Sequence, residues 1–121
     1  MLVDTAIWID HLRRGNAALV ALLEQAQVSV HPFVIGEVAC GSLADRWEVL
    51  GSLQELPMVT VVQHEDVMDF VDKEGLMGRG LGWVDMHLLA SASVSGERIW
   101  TRDRRLHAAA SALGLANAHP G

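Results

Sequence analysis

The chain has 121 residues, half of them hydrophobic, with a net charge of -6 and a single cysteine. A lone cysteine excludes an intrachain disulfide, the absence of any long apolar run excludes a membrane-spanning helix, and the acidic balance excludes binding nucleic acid through a broadly basic surface. The length suits one domain over residues 1–121, with no basic leader-like start, and a soluble cytoplasmic protein is expected.

Leu2-Val3 reads as a short buried strand, followed by Asp4-Thr5 and a helix from Ala6 to about Arg14. Gly15-Asn16 is a turn, and Ala17–Gln25 is a second helix with Leu19, Leu22 and Leu23 on one face. Val28-Ser29-Val30 is a strand, after which Pro32 suits the first position of a helix running to about Cys40. Gly41 stops that helix, Ser42 or Asp45 caps the next, and Pro57 breaks it. Met58–Val62, β-branched and uncharged, is the clearest strand. His64–Glu74 is helical with Val67, Phe70 and Val71 inward, and the glycine-rich stretch Gly75–Gly82 is a mobile loop carrying Arg79. It lacks the Lys-Ser/Thr ending of a phosphate-cradling loop. Trp83–Ser95 is a helix, Arg98–Thr101 a strand, and Leu106, Ala109, Ala110 and Leu113 mark a final helical face ended by Gly114. Leu115–Ala118 is a candidate last strand, with His119-Pro120-Gly121 as a tail. Strands alternating with helices predict an α/β fold of three layers, with a central parallel sheet of four to five strands.

Four acids map to one edge of that sheet. A helix start and a strand end meet at the carboxyl rim, where open parallel sheets bind ligands. Asp4 follows the first strand, Asp85 stands in the first turn of its helix, and Asp103 follows the strand Arg98–Thr101. Each has an ordinary alternative: Asp4 and Asp103 as N-caps, Asp85 as a favourable charge at a helix N-terminus. Glu37 is harder to explain that way, because its neighbours one turn away are Phe33, Val34, Cys40 and Gly41. A carboxylate on an apolar face needs a partner, such as Arg13 or Arg46, or a raised pKa. Converging carboxylates repel and call for a hard cation, and oxygen-only ligands suit Mg2+ or Mn2+. Arg98, Arg102, Arg104 and Arg105 crowd the sequence around Asp103, as a phosphate-containing substrate would favour.

At these residues the chain resembles the PIN-domain family, and within it the VapC-type toxins of toxin–antitoxin pairs. The likeness rests on LVDTAIWIDHLR from Leu2, FVIGEVACG from Phe33, LGWVDMHLLASA and WTRDRRL, in that order and spacing, and covers essentially the whole chain. The resemblance implies a PIN-like α/β/α domain and a metal-binding set of Asp4, Glu37, Asp85 and Asp103, with hydroxyls near the site at Thr5 and Thr101. It further implies an endoribonuclease that uses Mg2+ or Mn2+ to cut RNA, often tRNA or rRNA. A VapB-type antitoxin would silence it, and a homodimer is common in the family. The expected products carry 5′-phosphate and 3′-hydroxyl ends. Arg79, Arg102, Arg104 and Arg105 are candidates for guiding the RNA backbone.

Rival classes fit less well. A receiver domain wants an aspartate after the third strand, where Val61-Val62-Gln63 stands, and a late-strand lysine, whereas Lys73 is the only lysine. A haloacid-dehalogenase-type phosphatase wants a second aspartate after Asp4-Thr5. A catalytically silent interaction module on the same fold stays open. The six histidines show no metal spacing, His87 and Cys40 read as structural, and Trp8, Trp47, Trp83 and Trp100 read as core or interface. One of the tryptophans stacking on a base is the minority reading.

Overall fold

A computed structural model describes residues 1–117. Its elements are β1 (Leu2–Val3), α1 (Thr5–Arg14), α2 (Ala17–Glu24), α3 (Pro32–Ala39), α4 (Arg46–Glu55), α5 (His64–Glu74), α6 (Trp83–Ser95), β2 (Ile99–Trp100) and α7 (Arg104–Ala112). The order follows the predicted one. Ala118 and the tail lie outside the described residues.

The sheet is parallel and short. β1 pairs with β2, Leu2 opposite Ile99 and Val3 opposite Trp100. Single parallel bridges extend it on both sides: Leu2 to Ser29, Val30 to Met58, and Ile99 to Ala116. The five segments therefore stand in the spatial order third, second, first, fourth, fifth. Leu2, Val3, Val30 and Ile99 are fully buried, as expected for strands covered on both faces.

The segment Met58–Val62, read as the clearest strand, shrinks to one bridge. Val30 N–H donates to Pro57 O and Val59 N–H to Val30 O, and the neighbouring segment then turns into α3 at Pro32, which ends the ladder. Thr60 N–H, on the other side of the segment, donates to Ser95 Oγ of α6 at 3.0 Å, and Met58 and Val61 stay exposed as on an edge.

α6 is the central helix. Met86 through Ala92 are all buried, so it is enclosed nearly all round. Gly96, left-handed at φ 66, ends it and turns the chain into β2. α1 packs on α3, α3 on α4 and α5 on α6, while β2 receives α6 and α7. Leu106, Ala109 and Ala110 form the predicted buried face of α7, and Leu19 the centre of the α2 face. Of the inward residues expected in α5, Val67 is fully buried and Phe70 and Val71 are half-buried. Trp8 and Trp100 are in the core, but Trp47 is 85% exposed. No helix among the described residues is long and apolar enough to cross a membrane.

Candidate active site

The strand order reverses between β1 and β2, and the chain places acids after both. Asp4 continues the ladder, its N–H donating to Trp100 O at 2.9 Å, so the next residue of the partner segment, Thr101, faces it. Thr101 is buried, and its Oγ1 donates to Asp4 Oδ2 at 2.6 Å while accepting from Asp103 N–H at 3.1 Å. One hydroxyl thus joins the two strand-end aspartates. Both also cap helices. Asp4 Oδ1 accepts from Thr5 N–H at 2.8 Å, and Asp103 Oδ1 accepts from Arg105 and Leu106 N–H at 2.9 and 3.0 Å. α1 begins one residue earlier than expected because Asp4 itself is the cap. Capping and convergence are compatible here, since each cap uses one carboxylate oxygen.

Glu37 enters from α3. Thr5 Oγ1, on α1, donates to Glu37 Oε1 at 2.6 Å. The expectation that Glu37 is trapped on an apolar face is corrected: it is exposed, as are Phe33, Gly36 and Cys40, while Val34, Ile35 and Val38 turn inward. Its partner is a threonine; Arg46 donates instead to Gly41 O. The apolar letters around Glu37 belong to the open edge of α3. Cys40, expected to be packed, shares that edge.

Asp85 is the third residue of α6, and its Oδ2 accepts from Gly82 N–H at 2.9 Å. Burial pushes its pKa above the usual carboxylate value; the Gly82 amide opposes this, and the negative charges of Asp4, Asp103 and Glu37 push it further up. All three other acids therefore share one electrostatic neighbourhood with Asp85. The arrangement is open: among the described residues no three His, Cys, Asp or Glu side chains form a ready-made metal cage. A cavity of about 380 Å³ lies elsewhere, lined by Trp8, Leu12, Leu23 and Val49, and none of the four acids lines it.

The arginines divide. Arg102 donates to Asp10 Oδ2 at 3.1 Å, and Arg14 Nε to Asp10 Oδ1 at 2.6 Å, so Arg102 is clamped to α1. These two guanidinium groups hold the Asp10 carboxyl below its usual pKa. Arg98 is tied to Ala116 O. The Arg105 side chain lies against Gly80 of the glycine-rich loop. Arg79 and Arg104 are exposed and make no side-chain hydrogen bond or ion pair among the described residues.

Two features escaped the sequence reading. Asp10 was an ordinary helical acid until the fold brought Arg102 to it. His31 is fully buried and caps α3, its Nδ1 accepting from Phe33 N–H at 2.9 Å, with Nε2 unpartnered among the described residues. Burial, and then the nearby His87, lower its pKa to about 4. Its place just before Pro32 was the available signal, because a helix opening at proline needs an acceptor one residue earlier.

Comparison with known proteins identifies the family. The PIN domain model matches residues 1–112. Ribonuclease VapC32 of Mycobacterium tuberculosis, in strain CDC 1551 / Oshkosh and in strain ATCC 25618 / H37Rv, is 49% identical over 117 residues, covering 96% of this chain and 94% of the relative.

Proposed function

The chain belongs to the PIN-domain family, among its VapC-type members, and from that premise we propose that residues 1–121 form a single-domain endoribonuclease toxin hydrolysing RNA phosphodiester bonds with Mg2+ or Mn2+. The observation that carries the reading is the meeting of Asp4, Glu37, Asp103 and Asp85, drawn from four separate stretches of sequence, around one sheet edge.

The donor set fits a hard divalent cation. Every donor is a carboxylate oxygen, and Glu37 Oε2, Asp85 Oδ1 and Asp103 Oδ2 make no hydrogen bond among the described residues. Mg2+ keeps several waters and needs only one or two direct carboxylates, so an open cluster suffices. Asp4, Glu37 and Asp85 would hold the cation, and Asp103 would complete a second position or orient the attacking water. When bound, the cation supplies Lewis acidity toward the phosphodiester and acidifies water. The protein's share is orientation: Thr101 fixes Asp4 against Asp103, Thr5 fixes Glu37, and Gly82 fixes Asp85. Arg79, Arg104 and Arg105 are the proposed guides of the strand, whereas Arg102 is already held by Asp10.

A VapB-type antitoxin and a second copy of the chain are the proposed protein partners, and tRNA or rRNA the proposed substrate. Exposed apolar side chains at Trp47, Met68, Met77 and Val94 support protein contacts. The test is incubation of purified protein with tRNA and rRNA in Mg2+, Mn2+ or EDTA, followed by mapping of the ends, and expression with and without the neighbouring small reading frame. Metal-dependent cuts leaving 5′-phosphate, and growth arrest relieved by the neighbour, are expected. Intact RNA under all conditions would favour a catalytically silent PIN-fold module.

A further inference from the structure

Aromatic rings stand in the first turns of three helices. Phe33 is the second residue of α3, His64 the first of α5, and Trp83 the first of α6. α3 and α5 follow sheet segments and α6 precedes β2, so all three helix starts open on the rim that carries Asp4 and Asp103. The rings form a continuous series: Phe33 to His87 at 4.5 Å, His87 to Trp83 at 4.9 Å, and Trp83 to His64 at 5.0 Å between centroids. His87 is the buried anvil, 4% exposed, while Phe33 and Trp83 rest on it and stay 37% and 38% exposed. Each exposed ring shares a helix with a proposed ligand: Phe33 lies one turn before Glu37 on the same face of α3, and Trp83 lies two residues before Asp85.

We infer that Trp83 and Phe33 form a stacking platform for the nucleobases flanking the scissile phosphate. This rests on the ribonuclease reading and adds the groups that position the substrate. A chain of net charge -6 has few cations to spare for phosphates, and at the rim Arg102 is already engaged by Asp10. Stacking on an aromatic face needs no charge and accepts every base.

The platform is tested by binding, separately from cleavage. An Asp4→Asn background keeps the strand uncut, and the probe is a single-stranded oligouridylate of about 12 nucleotides in Mg2+, within the usual range of site sizes. Tryptophan fluorescence quenching and Kd are read against salt concentration. Trp83→Ala is expected to weaken binding by about tenfold or more with the salt slope unchanged, and Trp83→Phe to recover most of it. Should Trp83→Ala lower the folded fraction, Phe33→Leu carries the same expectation. An unchanged Kd in both variants overturns the platform, as does a dimer that Trp83→Ala converts to monomer without loss of RNA affinity. A protein with all its acids that binds and quenches without cutting refutes the nuclease reading alone. One that cuts normally as Trp83→Ala and Phe33→Leu, with unchanged binding, refutes the platform alone.

Discussion

Asp4 and Thr101 meet across the parallel register of β1 and β2, with Thr101 Oγ1 donating to Asp4 Oδ2 at 2.6 Å. The same oxygen accepts from Asp103 N–H, so a buried hydroxyl sets the spacing of two acids that lie almost a hundred residues apart. Thr101→Val keeps the shape and removes both bonds, leaving the Asp103 amide unsatisfied. A loss of about 1–3 kcal/mol is expected by chemical denaturation. Cleavage should fall about tenfold to a hundredfold, because the acids lose their mutual alignment. Thr101→Ser should restore both; if it does not, the methyl group and not the hydroxyl is what matters.

Asp4→Asn separates the capping role from the chemistry. Asparagine is as good an N-cap as aspartate, so acceptance from Thr5 N–H survives, while the amide NH2 now facing Thr101 Oγ1 reverses that bond, and the melting temperature should fall by at most a few degrees. The proposed cation ligand loses its charge, and metal-dependent cleavage should drop by more than about a hundredfold. Full cleavage by this variant would remove Asp4 from the site.

The chain reads well wherever one local signal decides. Pro32, Gly41 and the Leu106–Leu113 face placed their helices because caps and periodicity act within a few residues. The acids at Asp4, Asp85 and Asp103 were legible because strand ends and helix starts share a rim in any parallel sheet. Glu37 was singled out for its apolar neighbours, yet it is exposed: hydrophobic letters cannot tell the buried stripe of α3 from its open edge. The Met58–Val62 strand was over-read because β-branched residues report extended backbone and not a pairing partner, and the neighbouring segment ends where α3 opens at Pro32. The Asp10–Arg102 clamp and the His31–Phe33–His87–Trp83 series depend on tertiary contacts that no spacing announces.

Asp85 sets stability against function. Its folded pKa is raised, chiefly by burial and then by the other acids, so the folded protein binds the proton more tightly than the unfolded chain. Metal-free protein should therefore lose stability as pH rises from the unfolded carboxyl value of 3.8 through the raised folded one. Asp85→Asn still accepts from Gly82 N–H and stays neutral. In EDTA at pH 7 its melting temperature should exceed that of the wild type by a few degrees, while cleavage and the stabilisation by Mg2+ are both lost. A lower melting temperature in EDTA would mean that the ionised carboxylate is structurally favourable.

Gly80 tests the loop. Its φ is +76, and a Cβ there would stand 2.6 Å from Arg105 Nη1, so alanine is strained and must displace the guanidinium. Gly80→Ala should cost about 1 kcal/mol of stability from the left-handed backbone. It should also mimic Arg105→Ala in RNA binding, each lowering the salt slope by about 0.7 if Arg105 meets one phosphate of a single strand. Unchanged slopes in both variants would take Arg105 off the RNA path.

His31 governs acid sensitivity. Unfolded, it titrates near 6.5; folded, burial and then His87 bring it to about 4. Between those values the unfolded chain takes up a proton that the folded protein refuses, so His31 withdraws stability as pH falls through that window. Because the ring is fully buried, the change is on the order of 3 kcal/mol. His31→Asn preserves an acceptor for Phe33 N–H and removes the titration. The variant is less stable at neutral pH because it leaves a cavity, yet its stability should fall less steeply than the wild type's between pH 6.5 and 4. Parallel curves of unfolding free energy against pH would show that His31 titrates alike in both states and that another group produces the acid response.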